Sequence, residues 1–412
     1  MKRLRVATLF TELAFGGDEN RVLAFAREVD RTRFDHKVVT LVAADDETSR
    51  RAGPMEQRYR AAGIPCISLG LRRRADEPRL PRPISALRDG ARLLRTSRQL
   101  ATLFRREAID VVDARMTYNM VVGLMAARLA RVPVAIATEY YVDWWTRAPW
   151  RFIAPTVFDG FDAVVSDSRW VIEQYRRDLR RSLPQAVVIR NGVPEPHSDR
   201  SRHEMRRALG IPDGARVVAQ VARLLDYKGQ LPLIRAAARV MRESTDVWLL
   251  LCGYEHMPEY VATLHREARA LAIADRVRIV PWPGAIADVW RAVDIHAHPS
   301  LLDSSPIAIH ESMALGLPAV VSSAGGIPEL VEHEVTGLVV PPNDLDALAQ
   351  ALRRLLSEPQ TCARLGQAAR RRYLARHRPE QMTRAIEDLL VDLHARATSA
   401  MAVATSLAAA GA

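Results

Sequence analysis

The run His298-Pro299-Ser300-Leu301-Leu302-Asp303-Ser304-Ser305-Pro306-Ile307-Ala308-Ile309-His310-Glu311-Ser312-Met313-Ala314-Leu315-Gly316-Leu317-Pro318 is followed by the apolar stretch Ala319 to Ser323 and by Gly325-Gly326. It reads as a strand ending at Ser300, a short loop carrying Asp303, and a helix with Ser305 as N-cap and Pro306 at the first helical position. Such a helix start offers free backbone N–H groups and the positive end of the helix dipole, which suits a phosphate. Asp303 would then sit beside the phosphate as an acceptor for hydroxyl groups. Glu311 follows after seven residues, in the second helical turn. With a rise of about 1.5 Å per residue it lies roughly 8 Å beyond the helix start, in reach of a ribose attached to a docked diphosphate. Taken alone, the two carboxylates also fit a solvated loop Asp and a helix-surface Glu. The Gly316-Leu317-Pro318 stop, the apolar strand and the Gly-Gly turn before Pro328-Glu329 favour the ligand reading.

Working outward, short apolar runs alternate with helical patterns from Leu4 onward. Strands are predicted at Leu4 to Phe10, His36 to Val42, Cys66 to Leu69, Val111 to Ala114, Val132 to Thr138, Ala163 to Ser166 and Ala186 to Arg190. Helices are predicted between them, for example at Glu19 to Val29, Leu87 to Phe104 and Thr117 to Ala130. This alternation gives an open α/β fold with parallel sheets, in which ligands bind at the carboxyl ends of strands. Pro194 to Ser201 reads as a linker. The second half repeats the pattern, with strands at Arg216 to Ala222, Val247 to Cys252, Val277 to Val280 and Asp294 to Ser300.

At 412 residues the chain has room for two to three domains. A hydrophobic content of 48% with 26% charged residues is ordinary for a soluble globular protein and excludes a disordered one. The net charge of +11 is carried mainly by arginine. It admits nucleic acid, an anionic membrane surface or an arginine-rich proteome, and nucleic acid ranks last because no basic motif is interleaved with aromatics. Arg72, Arg73, Arg74, Arg79 and Arg82 crowd a loop before a helix that carries Arg88, Arg92, Arg95, Arg98, Arg105 and Arg106. They read either as a solvated face or as a patch against anionic lipid. Cys66, Cys252 and Cys362 have no metal spacing and fit a reducing cytoplasm. Val6 to Phe10 is too short for a signal-peptide core, and the tail after Arg396 is expected to be flexible.

Several further groups stand at predicted strand ends. Gly16-Gly17 follows the first strand, where glycine lets backbone approach a ligand, although a plain tight turn explains it equally well. Arg223 and Lys228 flank the end of the strand from Arg216; a guanidinium fork and an ammonium suit a diphosphate. Gly253 closes the next strand, and Trp282 follows the one after, as a base-stacking or core residue. The aromatic run Tyr140, Tyr141, Trp144, Trp145 and Trp150 serves either as a core lid or as a platform for sugar or lipid. His296 and His298 share a strand, but without a third ligand they are expected to pack in the core, and no metal site is predicted.

The carboxylate pair seven residues apart, with its small-residue helix and Gly-Leu-Pro stop, resembles the signature of retaining glycosyltransferases of the GT-B fold, family 4. Arg223 to Lys228-Gly229 is similar to that family's diphosphate motif, and Thr336-Gly337-Leu338-Val339-Val340-Pro341 to a later turn and strand. The chain departs from the pattern at Asp303, where the family has Glu, and at Asp113, Arg115 and Glu139-Tyr140, where histidines are frequent. Arg115 and Glu139 then stand in for those histidines on the acceptor or sugar side.

The resemblance implies two Rossmann-like domains with parallel sheets facing a central cleft. It implies an acceptor domain over residues 1–195, a nucleotide-sugar domain over 196–378 and a helix over 379–396 returning toward the first domain, with 397–412 as a tail. A UDP- or GDP-sugar is the implied donor, with no cofactor or metal. Arg223, Lys228 and the helix start at Ser304, Ser305, Pro306 and Ile307 would hold the diphosphate, Glu311 the ribose and Asp303 the sugar. Gly16, Gly17, Gly253 and Trp282 would complete the donor site. The acceptor implied is a glycan, lipid-linked or destined for exopolysaccharide, with peripheral contact at the inner face of the membrane through the basic first domain. A soluble natural-product acceptor, an epimerase on the same scaffold, and a nucleotide-binding scaffold with a decayed site are the rival readings.

Overall fold

A computed structural model describes residues 3–13, 16–42, 55–71, 82–140, 145, 150–181, 183, 185–255, 257–281 and 285–410, with the backbone alone at 82–87, 401 and 404–410. Trp282, Arg72, Arg73, Arg74, Arg79, Tyr141 and Trp144 lie outside the described residues. The chain divides into two compact units, residues 1–192 with 379–412, and residues 193–378.

The first unit contains a seven-stranded sheet in the order β3-β2-β1-β4-β5-β6-β7. Its strands are β1 (Leu4–Phe10), β2 (Phe34–Val42), β3 (Cys66–Leu71), β4 (Val111–Arg115), β5 (Val134–Thr138), β6 (Ala163–Ser166) and β7 (Ala186–Val188). Every pairing is parallel. Strands β4 and β5 are buried along their whole length, as a sheet covered on both faces requires. One face packs the helices Arg82–Arg106 and Thr117–Ala130. On the other, Met382, Leu390 and Leu393 of the last helix join Val6, Val111, Val134 and Val165.

That last helix runs from Pro379 to Ala410. Beyond Arg396, where a flexible tail is predicted, the backbone is helical as far as Ala410, in keeping with the high intrinsic helix propensity of an alanine-rich segment. The helix before it runs from Pro359 to Arg376, through residues that are nearly all good helix formers.

The second unit has six parallel strands in the order β10-β9-β8-β11-β12-β13. They are β8 (Arg216–Val221), β9 (Val247–Cys252), β10 (Val277–Val280), β11 (Ile295–His298), β12 (Ala319–Ser322) and β13 (Leu338–Val340). The order reverses between β8 and β11. In open α/β sheets that reversal leaves a crevice at the strand ends, because the two outgoing connections cross to opposite faces. The predicted diphosphate motif follows β8 and the predicted carboxylate loop follows β11.

Candidate active site in the second unit

Strand β11 ends at His298 and the helix begins at Ile307, with Pro306 rather than Ser305 in the N-cap position. The predicted cap is thus one residue early. Pro306 has the extended backbone of a cap (φ −61°, ψ 125°) and makes no side-chain capping bond. Ser305 and Pro306 are buried, while Ser304 and Ile307 are half-buried. In the first turn Ile309 N–H already donates to Pro306 O at 3.1 Å, and the Ile307 and Ala308 amides at the helix start are the ones oriented toward an anion.

Asp303 sits between strand and helix and is held from three sides. Lys228 Nζ donates to its Oδ2 at 2.6 Å, and His298 Nε2 lies 3.0 Å from the same oxygen. An ionised carboxylate only accepts, so His298 carries its proton on Nε2. Burial alone would raise the Asp303 pKa, but the adjacent Lys228 ammonium and the bond from His298 hold it well below the usual carboxylate range. The backbone is gripped as well: Gly326 N–H donates to Asp303 O at 2.9 Å. Gly325 adopts φ +59°, and a Cβ there would lie 2.0 Å from Asp303 O, so only glycine lets the two chains approach this closely.

The cations come from the loop after β8. Lys228 is buried at 9% exposure, its carbonyl accepting from Gln220 Nε2 at 2.6 Å. Arg223 is exposed, and its Nη2 donates to the Tyr227 hydroxyl at 3.0 Å. The Arg223 carbonyl accepts from Gln230 Nε2 at 2.9 Å. Gly229 (φ +77°) turns the chain into the next helix against Pro299, where a Cβ would meet Pro299 O at 2.1 Å. This contact locks the β8 loop to the β11 loop. On the neighbouring strand end, Gly253 N–H donates to Val280 O.

Glu311 is half-buried in the second turn of the helix and accepts from Trp290 Nε1 at 2.9 Å. Burial pushes its pKa up to about 7, against the pull of the Trp290 bond. The structure therefore joins Lys228 to Asp303 and Arg223 to Tyr227, and leaves Glu311 to Trp290. His298, Trp290, Tyr227 and Gln220 were not among the predicted site residues. His298 could have been found from its position at the same strand end as Asp303; Trp290 carries no such signal. Both predicted core histidines are buried, His296 at 0% and His298 at 1%. Among the described residues no group of three His, Cys, Asp or Glu is placed to hold a metal ion.

The predicted residues of the first unit have different surroundings. Gly16 is the N-cap of the helix Gly17–Glu28, with Gly17 exposed. Arg115, at the end of β4, is 4% exposed. Its Nε donates to Asp113 Oδ2 at 2.8 Å, and Nη1 reaches both Asp18 and the Tyr140 hydroxyl. Burial works against its charge, yet Asp113 and Asp18 hold its pKa well above the ordinary arginine value. Glu139 is buried at 3%, with Oε1 accepting from Tyr140 N–H. Trp145 is buried against Phe158 and Tyr175, so within the aromatic run it belongs to the core.

A cation pair, a carboxylate and a helix start converging where the strand order reverses define a class: an α/β protein with a site built for a phosphorylated ligand. The model for glycosyl transferases group 1 matches residues 201–372, and that for the glycosyl transferase 4-like domain matches residues 16–192. The D-inositol 3-phosphate glycosyltransferase of Corynebacterium glutamicum is 35% identical over 286 residues, covering 64% of this chain and 68% of that protein. Its counterparts in two other corynebacteria match over 42% and 54% of their length. The GDP-mannose-dependent alpha-(1-6)-phosphatidylinositol monomannoside mannosyltransferase of Mycolicibacterium smegmatis is 30% identical, over 60% of this chain and 67% of that protein. Among solved structures, Anabaena Alr3699/HepE in complex with UDP-glucose superposes with a TM-score of 0.78 at 22% identity, over 95% of this chain and 100% of that one. The chain belongs to the glycosyl transferases group 1, and its two Rossmann-like units have the GT-B fold.

Proposed function

We propose that this glycosyltransferase moves a sugar from a nucleoside diphosphate sugar to a glycan or lipid-linked acceptor, with retention of configuration and without a metal ion. The observation that carries the reading is the Lys228–Asp303 pair beside exposed Arg223 and the helix start at Ile307. Arg223 and the first-turn amides receive the diphosphate. An ammonium has three donors, so Lys228 keeps its bond to Asp303 and offers the others to the leaving phosphate, where negative charge grows as the glycosidic bond breaks. Asp303 accepts from hydroxyls of the transferred sugar and Glu311 from the ribose. UDP- and GDP-sugars are the donors to try first, because the solved neighbour holds UDP-glucose and one relative is named for GDP-mannose.

On the acceptor side, one relative is named for a phosphatidylinositol mannoside, which supports a lipid-linked acceptor and peripheral contact with the inner face of the membrane. Exposed Arg95 and Arg98, on the long helix Arg82–Arg106, supply a basic face, and no described helix is long and apolar enough to cross a membrane. The relative named for inositol 3-phosphate favours a second reading, a small soluble acceptor.

A thermal-shift panel of UDP, GDP, ADP and TDP with their sugar nucleotides, run beside Arg223→Ala, tests the donor assignment. Ligand at 100 times its dissociation constant stabilises by about 2.7 kcal/mol. A selective shift lost in the variant identifies the base; no shift with any nucleotide overturns the reading. Acceptor screens and flotation with anionic vesicles then separate the two acceptor classes.

A further inference from the structure

Among the described residues the carboxylates of Asp303 and Glu311 are each bound through one side-chain oxygen. Lys228 and His298 both bond to Asp303 Oδ2, and Trp290 bonds to Glu311 Oε2. Among the described residues Asp303 Oδ1 and Glu311 Oε1 accept no bond. The two groups that hold these carboxylates are connected to each other. The Trp290 ring meets His296 edge-on at 5.1 Å and 85°, and His296 meets His298 at 5.6 Å and 67°. His296 is anchored further: its Nδ1 lies 2.8 Å from Ser312 Oγ, which donates to Ile309 O at 2.9 Å. With its hydroxyl proton committed to Ile309, Ser312 accepts from His296, so the imidazole is neutral with Nδ1 protonated. Burial disfavours the charged form of both histidines. All three rings are buried, at 3%, 0% and 1% exposure.

We propose that Trp290, His296 and His298 form a positioning ladder that presents Asp303 Oδ1 and Glu311 Oε1 to the donor, His298 governing the sugar end and Trp290 the nucleoside end. The inference rests on the donor-site reading above and extends it to three residues that touch no substrate. Its physical basis is that a short Asp side chain in a loop is free to rotate unless both faces of one oxygen are occupied. Lys228 and His298 occupy them, which fixes where Oδ1 points. His296 couples the two ends, because its ring packs against both holders and its Nδ1 ties them to the helix that carries Glu311.

Each rung has its own signature in binding, measured by calorimetry with UDP, UDP-glucose, GDP and GDP-mannose on the full chain. For whichever base binds, His298→Leu weakens the sugar nucleotide by about tenfold to a hundredfold, the scale of a misplaced contact, and leaves the bare nucleoside diphosphate unchanged. His298→Gln, which retains an N–H near the position of Nε2, restores most of the loss and guards against a Leu variant that fails to fold. Trp290→Phe keeps the ring packing but removes the bond to Glu311, so it weakens nucleoside diphosphate and sugar nucleotide alike. His296→Leu weakens both ligands and lowers the sugar discrimination as well. In an Asp303→Asn background the effect of His298→Leu disappears. Wild-type affinities in folded His298→Leu and Trp290→Phe, with binding lost in Arg223→Ala, overturn the ladder and leave the donor site standing. Equal losses for UDP and UDP-glucose in His298→Leu also overturn it, since a merely structural role has that signature. If the wild-type chain binds none of the four nucleotides, both readings fall.

Discussion

The two sheets put arginine and aspartate at the same kind of place, the carboxyl ends of strands beside the reversal of strand order, and use them differently. In the first unit Arg115 is enclosed at 4% exposure by Asp113, Asp18 and Tyr140, and Asp113 also accepts from the Thr138 hydroxyl at 2.6 Å. In the second unit Arg223 faces solvent with a tyrosine hydroxyl as its partner, and Lys228 meets a single carboxylate oxygen. A cation surrounded by two acids has its charge spent inside the fold. Lys228, bonded to one carboxylate oxygen and lying over the Tyr227 ring at 5.2 Å, has donors left for a ligand beside the helix start. Position at a strand end is thus insufficient to mark a ligand site; the count of compensating partners separates the two cases.

The largest effect expected from this contrast is on stability. Arg115→Leu leaves buried Asp113 without its counter-charge and half-buried Asp18 with Arg21 alone, and destabilises the first unit by about 3–5 kcal/mol. Chemical denaturation reads this directly, and nucleotide affinity stays at the wild-type level. Lost affinity with normal stability would instead move Arg115 into the ligand-binding group and break the comparison.

Lys228→Ala acts on the reaction, lowering turnover by about 10²- to 10³-fold, the scale seen when one donor to a developing anion is removed. A variant with normal turnover would show that charge on the leaving diphosphate is stabilised elsewhere.

Glu311 sharpens the picture through pH. Its folded pKa of about 7 lies above the ordinary 4.5, so its contribution to stability is complete below the ordinary value and is lost as pH rises through 7. Glu311→Gln therefore melts several degrees above the wild type at pH 8 to 9, a difference on the order of 2–3 kcal/mol, and the two coincide near pH 4. Melting curves that run parallel across that range would place the Glu311 carboxyl in a wetter environment.

The smallest effect belongs to Arg223→Lys, which keeps the charge and loses the planar fork. Nucleoside diphosphate affinity falls by about tenfold, read by calorimetry. An unchanged affinity would mean Arg223 acts as a point charge.

Much of this was legible from the chain. Strand β1 at Leu4 to Phe10, β6 at Ala163 to Ser166, β9 at Val247 to Cys252 and β10 at Val277 to Val280 fall where the apolar runs predict them. Buried parallel strands are continuous apolar segments, and that signal is local. Helix ends were less legible. Ser305-Pro306 satisfies the pattern for a cap followed by a first turn, but Pro306 has extended backbone at ψ 125° and the helix starts one residue later. The helix beyond Arg396 was missed because a run of Ala, Ser and Thr has no amphipathic period to reveal it.

By itself the sequence determined the alternation of strands and helices, the spacing of Asp303 and Glu311, and the presence of two cations after β8, since each depends on residues close together in the chain. Tertiary structure decided which partners those groups have. Lys228 and Asp303 are 75 residues apart, and the ammonium reaches the carboxylate only because β8 and β11 lie side by side. Trp290 reaches Glu311, and His296 and His298 come into line between them, only once the strand is laid into the sheet. A side chain's neighbours follow from the pairing of distant strands, and no local pattern of apolar and polar residues encodes that pairing.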